Sequence, residues 1–215
     1  MPRDPYQRLY EDSELYALHL VRRAAGPTLH TDTRDALHHL AHRNRPLQEH
    51  DAALAVTGAL ARLAYTALRT AADRLHLPGG PLPAATAGPA PGQVREITEV
   101  LDRLDAGLLA TDTTTFGHAF VELTRLALAE QLPGGSSLRD SAAPVLARVV
   151  GPGPTPGPAL LQLVVRGAEL TLECLHHIFR AQTATGWDPG AAIEQVLDGF
   201  ELYKLTEHGA GAQTT

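Results

Sequence analysis

Residues 47–77 read LQEHDAALAVTGALARLAYTALRTAADRLHL, and this stretch decides the fold class. Its apolar residues recur three and four positions apart, which is the spacing of one face of an α-helix. The middle of the stretch is alanine-rich and apolar nearly all round, so the helix has no broad polar face to offer to solvent. It is therefore predicted to lie at the centre of the fold, and Pro78-Gly79-Gly80 ends it.

A second stretch, residues 159–183, has a similarly wide apolar face. Its apolar residues cover more than half of a helical wheel, so it is predicted to be a second central helix. No run alternates apolar with polar residues for long, and the low aromatic content of 5% also disfavours strands. The predicted fold class is all-α, a multi-helix bundle of seven to eight helices with two central apolar helices.

Shorter helical patterns accompany these two stretches. The most regular amphipathic pattern covers residues 93–110, where apolar residues form one stripe and acidic residues lie away from it. The last pattern starts at Trp187-Asp188-Pro189, with Asp188 as N-cap and Pro189 at the first helical position. The other predicted helices cover residues 14–25, residues 33–44, the stretch between Thr111-Asp112-Thr113 and Pro133-Gly134-Gly135, and residues 138–150.

The strongest candidate for a boundary is the Pro/Gly/Ala-rich linker at residues 78–92, PGGPLPAATAGPAPG. It separates an N-terminal three-helix part, residues 1–77, from a C-terminal helical part, residues 93–208. Residues 209–215 are predicted to be a disordered tail. The two parts could share one core, and a homodimer is the alternative way to cover the wide apolar faces.

Composition bears on origin and compartment. Seventeen arginines against one lysine indicate a GC-rich bacterial genome. A lone cysteine, Cys174, allows no internal disulfide and suits a reducing compartment. The N-terminus lacks the apolar run of a signal peptide, and no apolar stretch reaches the ~18 residues of a membrane span. A cytoplasmic protein without a membrane partner is therefore expected.

Charge is unevenly distributed over the chain, whose net charge is −6. Residues 1–77 carry ten arginines and nine acids, whereas residues 78–215 carry eight basic and fifteen acidic residues. The acidic part argues against a broad nucleic-acid footprint. Arg34, Arg43 and Arg45 lie close together in sequence, but nearby acids offset them and the following helix is too apolar for a recognition helix. Binding to nucleic acid is therefore disfavoured.

The first candidate site is a histidine-rich segment in the predicted helix 33–44. Asp35, His38 and His42 recur at three- and four-residue spacing, so they share one side and could bind a divalent metal. His39 is adjacent, and further ligands could come from His30, or from Glu49 and His50. The buried side of this helix is predicted to be Leu37, Leu40 and Ala41. A solvated polar face, or a surface for a partner, is therefore the alternative to a metal site.

The second candidate site lies in the predicted helix 159–183. Glu173 and His176 have the Glu-x-x-His spacing of di-iron helical bundles, in which two such motifs and two further glutamates are needed. Only one motif is present, and it belongs to a polar stripe whose neighbours have the spacing of ordinary surface ion pairs. That stripe comprises Gln162, Arg166, Glu169, Glu173, His176 and Arg180, with His177 one position away.

Catalytic signatures are not found in the sequence. His118 and Glu122 are four apart, beside Phe116 and Phe120, and are interpreted as boundary residues rather than as catalytic groups. Cys174 is predicted to be a buried, unreactive thiol. No serine lies in a Gly-x-Ser-x-Gly turn, and the Pro/Gly segments lack the lysine of a phosphate-binding loop. No catalytic residue and no cofactor are predicted.

Two classes of function remain. The first is a non-enzymatic helical interaction or assembly protein, which binds a protein partner or self-associates. The alternative is a helical metal- or ligand-binding protein, which could be an enzyme, using Asp35, His38 and His42 or Glu173 and His176 to bind a divalent metal. A helical DNA-binding regulator is the third and least favoured class.

Overall fold

The structure, a computed structural model, describes residues 4–76, 88–111, 115–150, 157–180, 194 and 197–201. The described residues contain helices and no strand, which confirms the all-α prediction. Residues 197–201 form a further helical segment near the end of the chain. The helices before it are α1 (Pro5–Arg23), α2 (Leu29–Arg43), α3 (Glu49–His76), α4 (Pro91–Thr111), α5 (Thr115–Glu130), α6 (Leu138–Ser141), α7 (Ala143–Val150) and α8 (Gly157–Arg180).

Helices α3 and α8 are the two central helices, as predicted. They form the most extensive helix–helix interface among the described elements, and α1, α2, α4 and α5 also pack against α3. Early residues of α3 lie near early residues of α8, and later residues lie near later ones. Ala53 and Leu160 line the same hollow, and further along both helices Thr171 Oγ1 lies 3.4 Å from Leu60 O. The helices therefore run parallel, and their N-termini lie on the same side of the molecule.

The buried apolar residues form one cluster. It includes residues from all eight helices together with Leu197 of the terminal segment. Residues on both sides of the predicted 78–92 linker therefore contribute to the same core. Residues 77–87 of that linker lie outside the described part of the chain, and α4 begins within its last two positions.

The first helix starts nine residues before its predicted start at Glu14, so that prediction was wrong. Pro5 occupies the first position, and the carboxylate of Asp4 accepts a hydrogen bond from the Tyr6 N–H at 3.1 Å. Leu9 anchors this early turn in the core at 2% exposure. Ser13, which directly precedes the predicted start, is buried inside α1, where its hydroxyl donates to Tyr10 O at 2.8 Å.

The predicted helix 138–150 is interrupted. It consists of α6 and α7, which meet at Ala142, and Pro144 is tolerated because it falls in the first turn of α7. The start predicted at Trp187-Asp188-Pro189 and the tail at residues 209–215 lie outside the described residues. None of the described helices is both long enough and apolar enough to cross a lipid bilayer.

Candidate functional site

The polar face of α2 points to solvent. His38, His39 and His42 are exposed, as is Asp35. The opposite side of the helix, formed by Leu37, Leu40 and Ala41, is buried as the periodicity predicts.

His38 of α2 contacts Glu49, one of the residues named as a possible further metal ligand. His38 Nδ1 lies 2.9 Å from Glu49 Oε1, with side-chain exposures of 73% and 62%. Glu49 is positioned by the start of α3, where Asp51 caps the helix by accepting a hydrogen bond from the Gln48 N–H at 2.9 Å. His39 instead packs beside the Tyr16 ring of α1, with centroids 6.1 Å apart. Only His38 of the histidine-rich segment therefore contacts a carboxylate among the described residues.

The second predicted set lies on the exposed side of α8. Glu173 and His176 are exposed, and the predicted surface pair Arg166–Glu169 is present at 2.8 Å. The side chain of His177 lies outside the described part. Within the described residues, no three or more His, Cys, Asp or Glu side chains are arranged to hold a metal ion. Binding of an ion to the α2 or α8 residues therefore stays a prediction.

The lone thiol is unsuited to nucleophilic chemistry. Cys174 is buried at 2% exposure on the inner side of α8. Burial raises the pKa of the Cys174 thiol to about 12, and the nearby Glu173 carboxylate adds to this effect. The thiol therefore stays protonated at neutral pH, in agreement with the prediction of an unreactive group.

His118 belongs to a polar network that sequence spacing did not reveal. Its Nδ1 lies 2.8 Å from Asp105 of α4, while its neighbour Glu122 pairs with Arg148 of α7. Arg125 contacts the same Asp105 at 3.4 Å. The network joins α4 to α5, and nothing in the sequence spacing singles out Asp105, because it lies on another helix.

Two neighbouring hollows open on the surface at the start of α3, and His50 lines both of them. Hollow A, between α2, α3 and α8, has a volume of about 380 Å³. Hollow B, between the start of α1 and the segment before α3, has a volume of about 350 Å³. Hollow A is lined by His30, Arg34, Leu37, Glu49, His50, Ala53, Gly157, Pro158, Leu160, Leu161 and Gln162, and hollow B by Asp4, Pro5, Tyr6, Pro46, Leu47, Gln48, His50 and Asp51.

Two large apolar side chains are exposed on this part of the molecule: Tyr6 lines hollow B, whereas Leu54 lines neither hollow but follows His50 by one helical turn. Tyr6 is 44% exposed, and Leu54 is 37% exposed. They are the exposed large hydrophobic residues of the described part. Together with hollows A and B they define what we call the His50 surface. The sequence did not indicate this surface. Leu54 belongs to a helix predicted to be buried at the centre of the fold, and Tyr6 precedes the predicted start of α1.

Charged residues line both ends of the His50 surface, and in hollow A the Glu49 carboxylate lies beside His38. Arg34 lines hollow A, where the exposed guanidinium forms no ion pair within the described part of the chain. Asp4 and Asp51 line hollow B. Each of these carboxylates accepts a capping hydrogen bond from a backbone N–H, which leaves further lone pairs for another donor.

Comparison with protein-family models, with curated proteins and with solved structures finds no match to this chain.

Proposed function

We propose that this protein is a non-enzymatic assembly protein, in which two copies associate face to face through the His50 surface. The observation that carries the proposal is that this surface combines exposed apolar side chains with complementary charges. The Arg34 guanidinium in hollow A forms no ion pair within the described residues, Glu49 of the same hollow contacts His38, and hollow B holds the carboxylates of Asp4 and Asp51. The state of the potentially reactive side chains supports a structural role rather than a catalytic one. His38 and Glu49 pair in solvent, and the Cys174 thiol is buried and protonated.

The apolar part of the surface supplies a reason to associate. Leu54 and Tyr6 present apolar area to water, and hollow A has a largely apolar floor formed by Leu37, Ala53 and Leu160. Removing apolar area from water contributes roughly 25 cal/mol per Å². Exposed side chains beside hollows A and B also allow the complementary shapes that a tightly packed interface requires.

The charges argue for a second copy as the occupant. In a two-fold interface, residue i of one subunit meets residue j of the other, and the same contact occurs twice. If the axis passes near His50, hollow A of one copy faces hollow B of the other. Each Arg34 guanidinium then faces the carboxylates at Asp4 and Asp51 across the interface, so both charged ends are paired at once.

Leu54→Glu tests this proposal. The wild type is expected to be a dimer in sedimentation-velocity and light-scattering measurements over a wide range of protein concentration. Burying a carboxylate in the apolar centre is expected to weaken dimerisation by about 30-fold or more in Kd, the effect of losing a hot-spot residue. Arg34→Glu is expected to weaken it as well, with a clear dependence on salt.

The matched control is Ala106→Glu, which adds the same charge at an exposed position on the outer side of α4. Its dimerisation should equal that of the wild type, and circular dichroism should show all three variants folded. A wild type that is monomeric throughout, or a loss of dimer as large in Ala106→Glu as in Leu54→Glu, would contradict the proposal.

A second candidate function is the binding of a divalent metal, and the contact between His38 and Glu49 favours it. An imidazole and a carboxylate from two helices already lie 2.9 Å apart, and both are common ligands of zinc. His42 and Asp35 lie on the same side of α2. The remaining positions around an ion would be taken by these residues, by water or by a second copy.

Zinc titration calorimetry and metal analysis on untagged protein test this candidate. Metal binding predicts stoichiometric zinc that is lost in the double variant His38→Ala/His42→Ala. His19→Ala, which removes an exposed imidazole from α1 instead, should retain it. Glu173→Ala/His176→Ala applies the same test to α8. If the wild-type protein binds no zinc, this candidate function is ruled out. If the wild type binds zinc and His38→Ala/His42→Ala does not, a purely structural role is overturned.

A further inference from the structure

The Arg22 guanidinium of α1 contacts the described residues near the end of the chain. Arg22 contacts three carboxylates of the terminal segment, which we define as Glu194 and residues 197–201. Arg22 Nε lies 3.3 Å from Glu194, Nη2 lies 2.6 Å from Asp198, and Nη1 lies 2.6 Å from Glu201. Within the described residues, Arg22 donates each hydrogen bond that joins the terminal segment to the rest of the chain.

The same side of the terminal segment carries its apolar contact. Leu197 lies three positions after Glu194 and four before Glu201, so it shares their helix face. Its side chain is fully buried, and Phe200 packs against the core beside it. The segment is therefore docked by a leucine in an apolar site and by an arginine at the rim of that site.

The ionic part of this attachment is exposed to solvent. The side-chain exposures of Glu194, Asp198 and Glu201 are 56%, 72% and 40%, against 23% for Arg22. Ion pairs at such positions are weakened by salt, whose screening length falls from about 10 Å at 0.1 M to about 3 Å at 1 M. The three carboxylates also repel one another, and among the described residues Arg22 is the cation that pairs with them, since the adjacent Arg23 pairs with Asp32 of α2.

We propose that the terminal segment is a releasable strap, whose docking on α1 is controlled by the Arg22 contacts and therefore by ionic strength. In the docked state Leu197 fills its apolar site and Arg22 is neutralised. In the released state the apolar site beneath Leu197 and the Arg22 guanidinium are both open to solvent. The rest of the core is retained, because α3 and α8 are joined by an extensive interface of their own.

Hydrogen exchange of the intact chain, followed by mass spectrometry, tests the strap. Arg22→Ala is expected to speed exchange at the amides of residues 197–201 by about tenfold, and to leave α3, α5 and α8 unchanged. Raising NaCl from about 0.05 M to about 0.5 M should speed exchange at the same amides in the wild type. In Arg22→Ala salt should no longer speed this exchange, because the attractive ionic contacts are gone and salt then only screens the repulsion among the three carboxylates.

Arg23→Ala is the matched control, since it removes the neighbouring arginine, whose carboxylate partner is Asp32 of α2. It should leave exchange at residues 197–201 as in the wild type. Arg22→Lys keeps the charge but loses the planar fork that reaches three carboxylates, so its exchange should be intermediate. Equal exchange in Arg22→Ala and wild type, or an acceleration spread over the whole core, would overturn the proposal.

Discussion

Gly167→Ala will lower the free energy of unfolding by about 1–3 kcal/mol, although alanine is the better helix former. Gly167 lies in the middle of α8, where a new methyl group would sit 2.7 Å from Cε2 and 2.8 Å from Cδ2 of Phe120. The Phe120 ring is 1% exposed and Leu60 borders the same point, so neither can simply swing into solvent. Overpacking should therefore outweigh the propensity gain of about 1 kcal/mol.

Chemical denaturation, with the midpoint and slope fitted together, measures this effect. Gly107→Ala in α4 is the matched control, because apart from its own helix backbone and chain neighbours no described residue comes within 4 Å of the new methyl group. It should raise stability by up to about 1 kcal/mol. In the double variant Gly167→Ala/Phe120→Leu the two losses of unfolding free energy should not add, because leucine leaves more room for the new methyl group than phenylalanine does. A neutral or stabilising Gly167→Ala would show that α5 and α8 are not packed this closely.

Glu130→Gln will cost about 1–2 kcal/mol at pH 7, because Glu130 joins three helices. Its carboxylate takes two hydrogen bonds from Arg62 of α3, both at 3.0 Å, and one from the Leu138 N–H at the start of α6, at 2.9 Å. The Glu130 side chain is 17% exposed and that of Arg62 is 36% exposed. Glutamine keeps one acceptor for these donors but loses the charge, so the packing of α5 against α3 and α6 is retained while the charge-assisted hydrogen bonding is lost.

The effect of Glu130→Gln should depend on pH. Burial alone would raise the pKa of the Glu130 carboxyl, but the Arg62 guanidinium and the Leu138 N–H together hold that pKa below its usual value. A carboxyl whose pKa is lower in the folded chain than in the unfolded chain stabilises the fold above the unfolded value of about 4.3. That contribution is lost as the pH falls through the folded value. The stability difference between variant and wild type should therefore be full at pH 7 and shrink as the pH falls below the unfolded value of about 4.3.

Glu122→Gln on the same helix is the control for this pH dependence. Glu122 pairs with Arg148, with side-chain exposures of 43% and 63%, and exposed pairs typically contribute about 0–1 kcal/mol. Denaturation curves of both variants at several pH values separate the two cases. If Glu130→Gln cost no more than Glu122→Gln at pH 7, the Arg62–Glu130 pair would not stabilise the junction of α3, α5 and α6.

The identity of the central helices could be predicted because it depends on local pattern. Residues 47–77 and 159–183 have too little polar surface for an outer helix, and α3 and α8 do lie at the centre. The start of α1 could not be predicted in the same way. Its first turns carry few apolar residues, and they are held by the Asp4 cap and by the burial of Leu9 against other helices.

For the candidate sites, the exposure of each residue could be predicted from the sequence, but its contacts with other helices could not. Exposure of His38, His42, Glu173 and His176 follows from their positions on the helical wheel, and the structure agrees. Their partners do not follow from the wheel. His118 contacts Asp105 13 positions away rather than its helix neighbour, and Arg62 meets Glu130 68 positions away.

The amino-acid sequence by itself determined that the chain is helical and which side of most helices is apolar, because a repeat of three and four residues acts within a single helix. The tertiary structure alone decided where Arg22 meets the terminal segment, how closely Phe120 approaches Gly167, and that hollows A and B meet at His50. These features depend on the relative positions of separate helices. Those positions arise from the packing of the whole core, which no single stretch of sequence encodes.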